Sequence, residues 1–212
     1  MLNCQEIESQ LQPVAGVDEV GRGALFGAVV AAAVILPVDR FSVLHKAGVT
    51  DSKRLAPQRR ATLDRLIREV AVDCQVGMAT VEEIDRMNIL EASLLAMERS
   101  IAKLKIKPNH CLIDGNQPLR FRLIEPLPQT TVVKGDATCL SIAAASIVAK
   151  VWRDRLMTEL DLEYPGYDLA KNKGYGTVKH REAILRLGYS DRHRQSFRIQ
   201  EYCEDDSRVQ IF

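Results

Sequence analysis

Two adjacent carboxylates, Asp18 and Glu19, stand in "GVDEVGRGALFG", residues 16–27, directly before Gly21, Arg22 and Gly23. Asp114 closes the apolar run "HCLID", and Asp136 follows "TTVVKG". Three chemistries compete for this pattern. The glycines come within one residue of the dinucleotide fingerprint GxGxxG, but that motif needs a helix to open at the glycines and hold the pyrophosphate. The residues that follow, "AVVAAAVIL", read as a strand, and Asp18 and Glu19 would repel the phosphates. A hairpin turn explains the glycines through their access to positive φ. It leaves the two further acids at the ends of apolar runs unexplained. In the third reading the strand ends converge and divalent cations offset the repulsion between the carboxylates. Acid oxygens without His or Cys suit Mg²⁺ or Mn²⁺, and a pair of such ions suits phosphodiester hydrolysis. Taken singly, Asp136 also fits a helix N-cap and Asp114 a turn before Gly115.

The elements that must carry these acids follow from periodicity. Residues 13–20 and 29–36 are apolar and often β-branched, and the short link between them leaves no room for a crossover, so they should pair antiparallel. Helical spacing covers 58–70, a third strand starts at Cys74, and 81–104 reads as one long helix. Strands at 110–115 and 130–136 should end in Asp114 and Asp136, and 137–160 reads as a helix apolar almost all round, suited to packing under a sheet. A loop rich in Gly, Tyr and Lys, "EYPGYDLAKNKGYGT", precedes a short helix at 178–187. The class expected is α/β with a mixed sheet.

Composition narrows the setting. A chain of 212 residues with 46% hydrophobic content can bury one sizeable core, and 29 basic against 28 acidic side chains leave a net charge of +1 that points to no polyanionic partner by itself. The five cysteines are scattered without a CxxC pair, so free thiols are expected rather than a disulfide framework or a zinc site. No signal-like start or membrane-length apolar run is evident, so a cytoplasmic protein is expected.

The segments "GVDEVGRG", "DSKRL", "LIDGN", "VVKGDATCLSIAAASIVAKVWRD" and "YPGYDLAKNKGYGT" together resemble the ribonuclease HII family, in its order and over most of the chain. "ALFGAVV" departs from that family's pattern, with Ala28 where a proline is usual. The resemblance implies a ribonuclease H-like fold with a mixed five-stranded sheet flanked by helices: a catalytic core at 1–160 and a small helical extension at 161–212 that completes the substrate site and ends in a flexible tail. It implies that Asp18, Glu19, Asp114 and Asp136 are the catalytic acids and hold two Mg²⁺ or Mn²⁺ ions. The implied substrates are RNA/DNA hybrids and DNA containing single ribonucleotides, incised on the 5′ side to leave 5′-phosphate and 3′-hydroxyl ends. That activity would serve removal of misincorporated ribonucleotides and residual primers. By the same likeness the backbone of Gly21, Arg22 and Gly23 reads the 2′-hydroxyl, Lys53 holds a phosphate and Tyr175 stacks on the deoxyribose after the ribonucleotide. Type 3 ribonuclease H specificity for RNA tracts, or an inert hybrid-binding module, are the alternatives.

Between 150 and 198, eleven Lys and Arg stand against seven Asp and Glu, an excess that could steer a nucleic-acid backbone. His193 is expected to make a structural or phosphate-side contact. The tail ending in "VQIF" has Gln210 and a terminal aromatic, a faint likeness to a sliding-clamp peptide. A monomer is expected.

Overall fold

The computed structural model describes residues 3–197. A capping box on Asn3 opens α1, Cys4–Gln10. Strands β1, Val14–Val20, and β2, Val29–Ile35, pair antiparallel, as the short link between them requires. Helices α2, Phe41–Lys46, and α3, Pro57–Val70, precede β3, Asp73–Ala79, which lies antiparallel to β2. Helices α4, Val81–Met87, and α5, Ile89–Ala102, lead to β4, His110–Asp114, parallel to β1, and β5, Gln129–Val132, parallel to β4. The rest is helical: α6, Gly135–Thr138; α7, Leu140–Glu163; α8, Leu169–Asn172; and α9, Val178–Leu187. The mixed five-stranded sheet runs β3-β2-β1-β4-β5.

Alternation along β2 divides the core. Ala31, Ala33 and Ile35 face Ala96, Met97 and Ile101 of α5, whereas Ala32 and Val34 face Leu63 and Ile67 of α3 and Ala144, Ile147 and Val148 of α7. Two glycines set how closely the helices approach. A Cβ on Gly16 would collide with the backbone of Ser141 in α7, and one on Gly77 with that of Ala96 in α5. The nearly all-apolar stretch that opens α7 is therefore pressed onto β1 beside the acidic pair. Its first turn is capped from outside: the buried Glu8 carboxylate accepts from Ser141 N (2.7 Å) and Ser141 Oγ (2.6 Å).

Several expectations need correction. The single helix expected over 81–104 is two, because Asn88 adopts φ 72°, where a right-handed helix cannot continue. The Asn88 side chain accepts from Leu90 N and Glu91 N and starts α5 afresh. The strand expected to reach Asp136 stops at Val132, Lys134 turns the chain at φ 57°, and Asp136 sits on α6. A further break at Cys139, in extended conformation, separates α6 from α7. The Gly/Tyr/Lys loop contains α8. Cys4 and Cys139 form a disulfide, with Cα atoms 5.6 Å apart, where free thiols were expected; their 135-residue separation gives no local spacing to read.

Helix α7 runs across position 160 to Glu163 without a break. Beyond it Tyr167, Leu169, Ala183 and Ile184 cluster with Phe26 and Met157, so this small apolar group includes a residue from the β1–β2 link. Among the described residues no helix is long and apolar enough to cross a membrane.

Candidate active site

β1 and β4 are parallel neighbours in which Val17 stands opposite Ile113, so the next residues, Asp18 and Asp114, reach the same edge of the sheet at the same level. Glu19 joins them: Asp18, Glu19 and Asp114 each offer a carboxylate oxygen, and these oxygens lie within 4.8 Å of one another. Asp18 is buried and the other two are half-buried. Asp18 accepts from the Glu19 amide at 2.7 Å, and Asp114 Oδ1 accepts from Gly135 N at 2.8 Å, which ties α6 to the end of β4.

Burial pushes the Asp18 carboxyl well above its usual range, with the charges of Glu19 and Asp114 adding to the push. Burial also raises Glu19, where Arg22 opposes the shift and Asp114 reinforces it. Asp114 is raised by burial and then by Asp136. Three acids that each resist ionising because of burial and a neighbouring carboxylate are a cluster arranged for bound positive charge.

Of the four acids expected to act together, Asp136 is not within this triple. It lies buried on α6, with Lys53 Nζ 3.5 Å from its Oδ2. Burial works against the Lys53 charge, yet Asp136 and then Asp18 lift its ammonium above the ordinary value. Lys53 itself is exposed, its side chain 82% accessible. Arg22 pairs with Glu19 at 3.3 Å.

The glycine turn is held by two arginines whose roles a sequence does not disclose. Arg194, fully buried, donates from Nη2 to Gly21 O (2.7 Å), from Nη1 to Arg22 O (2.7 Å) and from Nε to Gly27 O (2.9 Å). Arg153, also fully buried, donates to Ala28 O (3.1 Å), Phe26 O (3.1 Å) and Lys173 O (2.7 Å). Neither is available to steer a polyanion, as the charge count over 150–198 had allowed, and Arg198 of that count lies outside the described residues. Gly21 adopts φ 93°, and a Cβ there would strike the Arg153 guanidinium. Gly23 differs, since a Cβ added to it would meet nothing within 4 Å. The protein's own packing does not require a glycine there, and the space beside its backbone is open to a ligand.

Tyr175 is brought to the same turn. It bridges to Ala24, while Leu25 N and Phe26 N donate to Gly174 O at 2.8 and 3.2 Å. Its half-buried ring has Arg153 Cζ 5.6 Å and Lys150 Nζ 5.8 Å from the centroid. His193 is fully buried against Phe26, Tyr167 and Tyr189, so its contact is structural and no phosphate reaches it.

The donor set fits a hard divalent cation: carboxylate oxygens only, at adjacent strand ends, with no His or Cys in the cluster. Fold and site together define a metal-dependent hydrolase with a ribonuclease H-like sheet, its acids at the carboxyl ends of two parallel strands. The family model for Ribonuclease HII matches residues 15–200, and the chain belongs to that family. It is 63% identical over 183 residues to the ribonuclease HII of Trichodesmium erythraeum, covering 86% of this chain and 85% of the relative. The crystal structure of the ribonuclease H2 from Pyrococcus horikoshii OT3 matches with TM-score 0.72 at 30% identity, over 86% of this chain and 92% of that one. A structure of the PCNA:RNase HII complex from Archaeoglobus fulgidus matches with TM-score 0.72 at 27% identity, over 91% and 99%. The protein is a metal-dependent ribonuclease H, a nuclease.

Proposed function

We propose that the enzyme incises DNA on the 5′ side of single embedded ribonucleotides as well as cutting the RNA strand of RNA/DNA hybrids, leaving 5′-phosphate and 3′-hydroxyl ends. The observation that carries this reading is the glycine turn. Gly21, Arg22 and Gly23 directly follow Asp18 and Glu19, Arg194 fixes the turn through its carbonyls, and the space beside Gly23 is open. A backbone held in this way can approach a 2′-hydroxyl, the group that separates RNA from DNA, within reach of the acids.

In this reading Asp18, Glu19, Asp114 and Asp136 would hold two Mg²⁺ or Mn²⁺ ions. When bound, such ions supply Lewis acidity and offset charge on the phosphate. The chain's own groups do the rest. Lys53, exposed beside Asp136, holds a non-bridging phosphate oxygen, and Tyr175 takes the face of the deoxyribose after the ribonucleotide. The C-terminal extension, 161–212, completes the substrate site by presenting Tyr175 to the turn. We place the activity in the cytoplasm, in ribonucleotide removal and replication, with the enzyme acting as a monomer. The clamp contact suggested by "VQIF" falls outside the described residues; the PCNA complex of the Archaeoglobus relative supports keeping it in the proposal.

The test is cleavage of two end-labelled duplexes, a DNA duplex carrying one ribonucleotide and a long RNA/DNA hybrid, with Mg²⁺ or EDTA, by the wild type and Asp18→Asn. Metal-dependent incision on the 5′ side of the ribonucleotide, reduced at least a hundredfold in the variant, is expected. Cutting restricted to RNA tracts would replace this reading with type 3 specificity, and tight binding without any cutting would make the chain an inert recognition module.

A further inference from the structure

A groove of about 670 Å³ runs beside Tyr175 between α3, α7 and α8, and none of the four acids or the turn glycines lines it. Its walls carry Arg60, Lys150, Arg155, Lys171 and Lys173 against only Asp154 and Glu159. Three of these cations converge on one acid residue. Lys150 Nζ lies 2.7 Å from Asp154 Oδ1, Arg60 Nη2 lies 3.6 Å from Oδ2, and Lys173 Nζ donates to the Asp154 carbonyl at 3.2 Å. One carboxylate offsets one unit of charge, so positive charge remains at the groove floor. Burial holds the Lys173 ammonium below its ordinary value, with Lys150 and Arg153 adding to the shift and Asp154 and Asp161 opposing it.

Helix α7 gives the spacing to the acids. Ser146, whose hydroxyl lies 2.9 Å from that of Ser52 and is close enough to Asp18 to favour its charged form, precedes Lys150 and Asp154 at intervals of four residues, so the three share one helix face. At a rise of about 1.5 Å per residue, Lys150 stands about 6 Å and Asp154 about 12 Å along the axis from Ser146. Successive phosphates of one strand advance about 3.4 Å along a duplex axis, so these positions correspond to roughly two to four nucleotides from the acids.

We infer that this groove binds the phosphodiester backbone of the DNA strand on the 3′ side of the ribonucleotide, with phosphate oxygens among Lys150, Lys173 and Arg60. The direction rests on the proposed function, because Tyr175, which lines the groove, is there assigned to the first deoxyribose after the ribonucleotide. The occupant is argued from charge complementarity and from this spacing.

Binding is measured by fluorescence anisotropy on the full chain in EDTA, so that no turnover is needed. Labelled duplexes with one ribonucleotide carry either a long DNA flank or a two-nucleotide flank on its 3′ side. The wild type should lose affinity on the shortened flank. Lys150→Ala and the surface variant Lys171→Ala should each bind the long duplex about three- to tenfold more weakly, with the slope of log Kd against log salt reduced by about one. Both variants should lose less than the wild type on shortening, and Lys150→Arg should bind as the wild type does. Unchanged affinity and salt slope in both alanine variants would overturn the inference, as would a full flank-length effect in them. Failure of the proposed function shows separately, as absent cleavage by the wild type in Mg²⁺.

Discussion

Asp18 concentrates the conflict between stability and chemistry at the scale of one residue. Its carboxylate is buried beside Glu19 and Asp114, and burial followed by those charges raises its pKa. For an acid raised on folding, the sign is that folding favours the protonated form: the contribution is present below the unfolded pKa near 4 and is lost as pH rises through the folded one. At neutral pH without metal, Asp18 therefore destabilises the fold. Asp18→Asn in EDTA should raise Tm by about 2–4 °C for each kcal/mol relieved, and added Mg²⁺ should stabilise the variant much less than the wild type. Thermal melts with and without Mg²⁺ measure both effects, and a lower metal-free Tm in the variant would show that the carboxylate is not under strain. The grouping of Asp18, Glu19 and Asp114 was legible in the sequence because an acid at the end of an apolar run is unusual and has few structural uses; the strand end expected at Asp136 was not found, since β5 stops at Val132. Arg153 and Arg194 were not, because a sequence displays a guanidinium's charge and not its burial; both read as cations for a polyanion, whereas they serve backbone carbonyls.

The elements that present the site are a turn and the segment folded over it. The 21–28 link receives hydrogen bonds from Arg153 on α7 and from Arg194 beyond α9, so its shape depends on parts of the chain far away in sequence. A lysine in place of Arg194 keeps the charge but cannot reach the carbonyls of Gly21, Arg22 and Gly27 in the planar geometry of a guanidinium. Arg194→Lys should therefore reduce kcat/KM on a single-ribonucleotide duplex by about 10–100-fold, roughly 1.4–2.7 kcal/mol of transition-state stabilisation. Its preference for that duplex over an all-DNA duplex in binding should also shrink, which loss of fold alone would not produce. Equal loss on both duplexes would assign Arg194 to the fold and not to recognition. Strands β1, β2 and β4 were readable because their apolar runs are bounded by turn formers. The breaks at Asn88 and Cys139 were not, because the apolar spacing carries on through both: the interruption lies in one residue's φ or ψ, which hydrophobic period does not encode.

At the scale of the whole molecule, a buried pair of imidazoles in the C-terminal segment meets the β1–β2 link through the ring of Phe26. His180 Nδ1 lies 3.0 Å from Tyr175 O, which can only accept, so that nitrogen carries a proton. His193 Nδ1 lies 3.0 Å from Ser190 N, which can only donate, so that nitrogen is bare. The two Nε2 atoms are 3.2 Å apart, and the remaining bond must run from His193 to His180, with both rings neutral. Burial and then His180 push His193 down to about 4, and burial lowers His180 as well. Tyr167 edges both rings, Phe26 and Tyr189 edge His193, and Asp191 is the nearby acid that favours its charge. For a base depressed on folding, the contribution is complete above the unfolded pKa of about 6.5 and is lost as pH falls towards the folded value. The strained carboxylates carry the opposite sign, but bound metal offsets their charge. In Mg²⁺, stability from urea unfolding should therefore fall between pH 6.5 and 5, with a slope approaching about 1.4 kcal/mol per pH unit for each proton taken up on unfolding. In EDTA the slope should be shallower, because relief of Asp18, Glu19 and Asp114 works against it. Two-dimensional NMR of the histidine rings should show His193 untitrated down to pH 5. A His193 ring that titrates near 6.5 would mean that the pair charges without opening, and the acid-side loss of stability would then need another source.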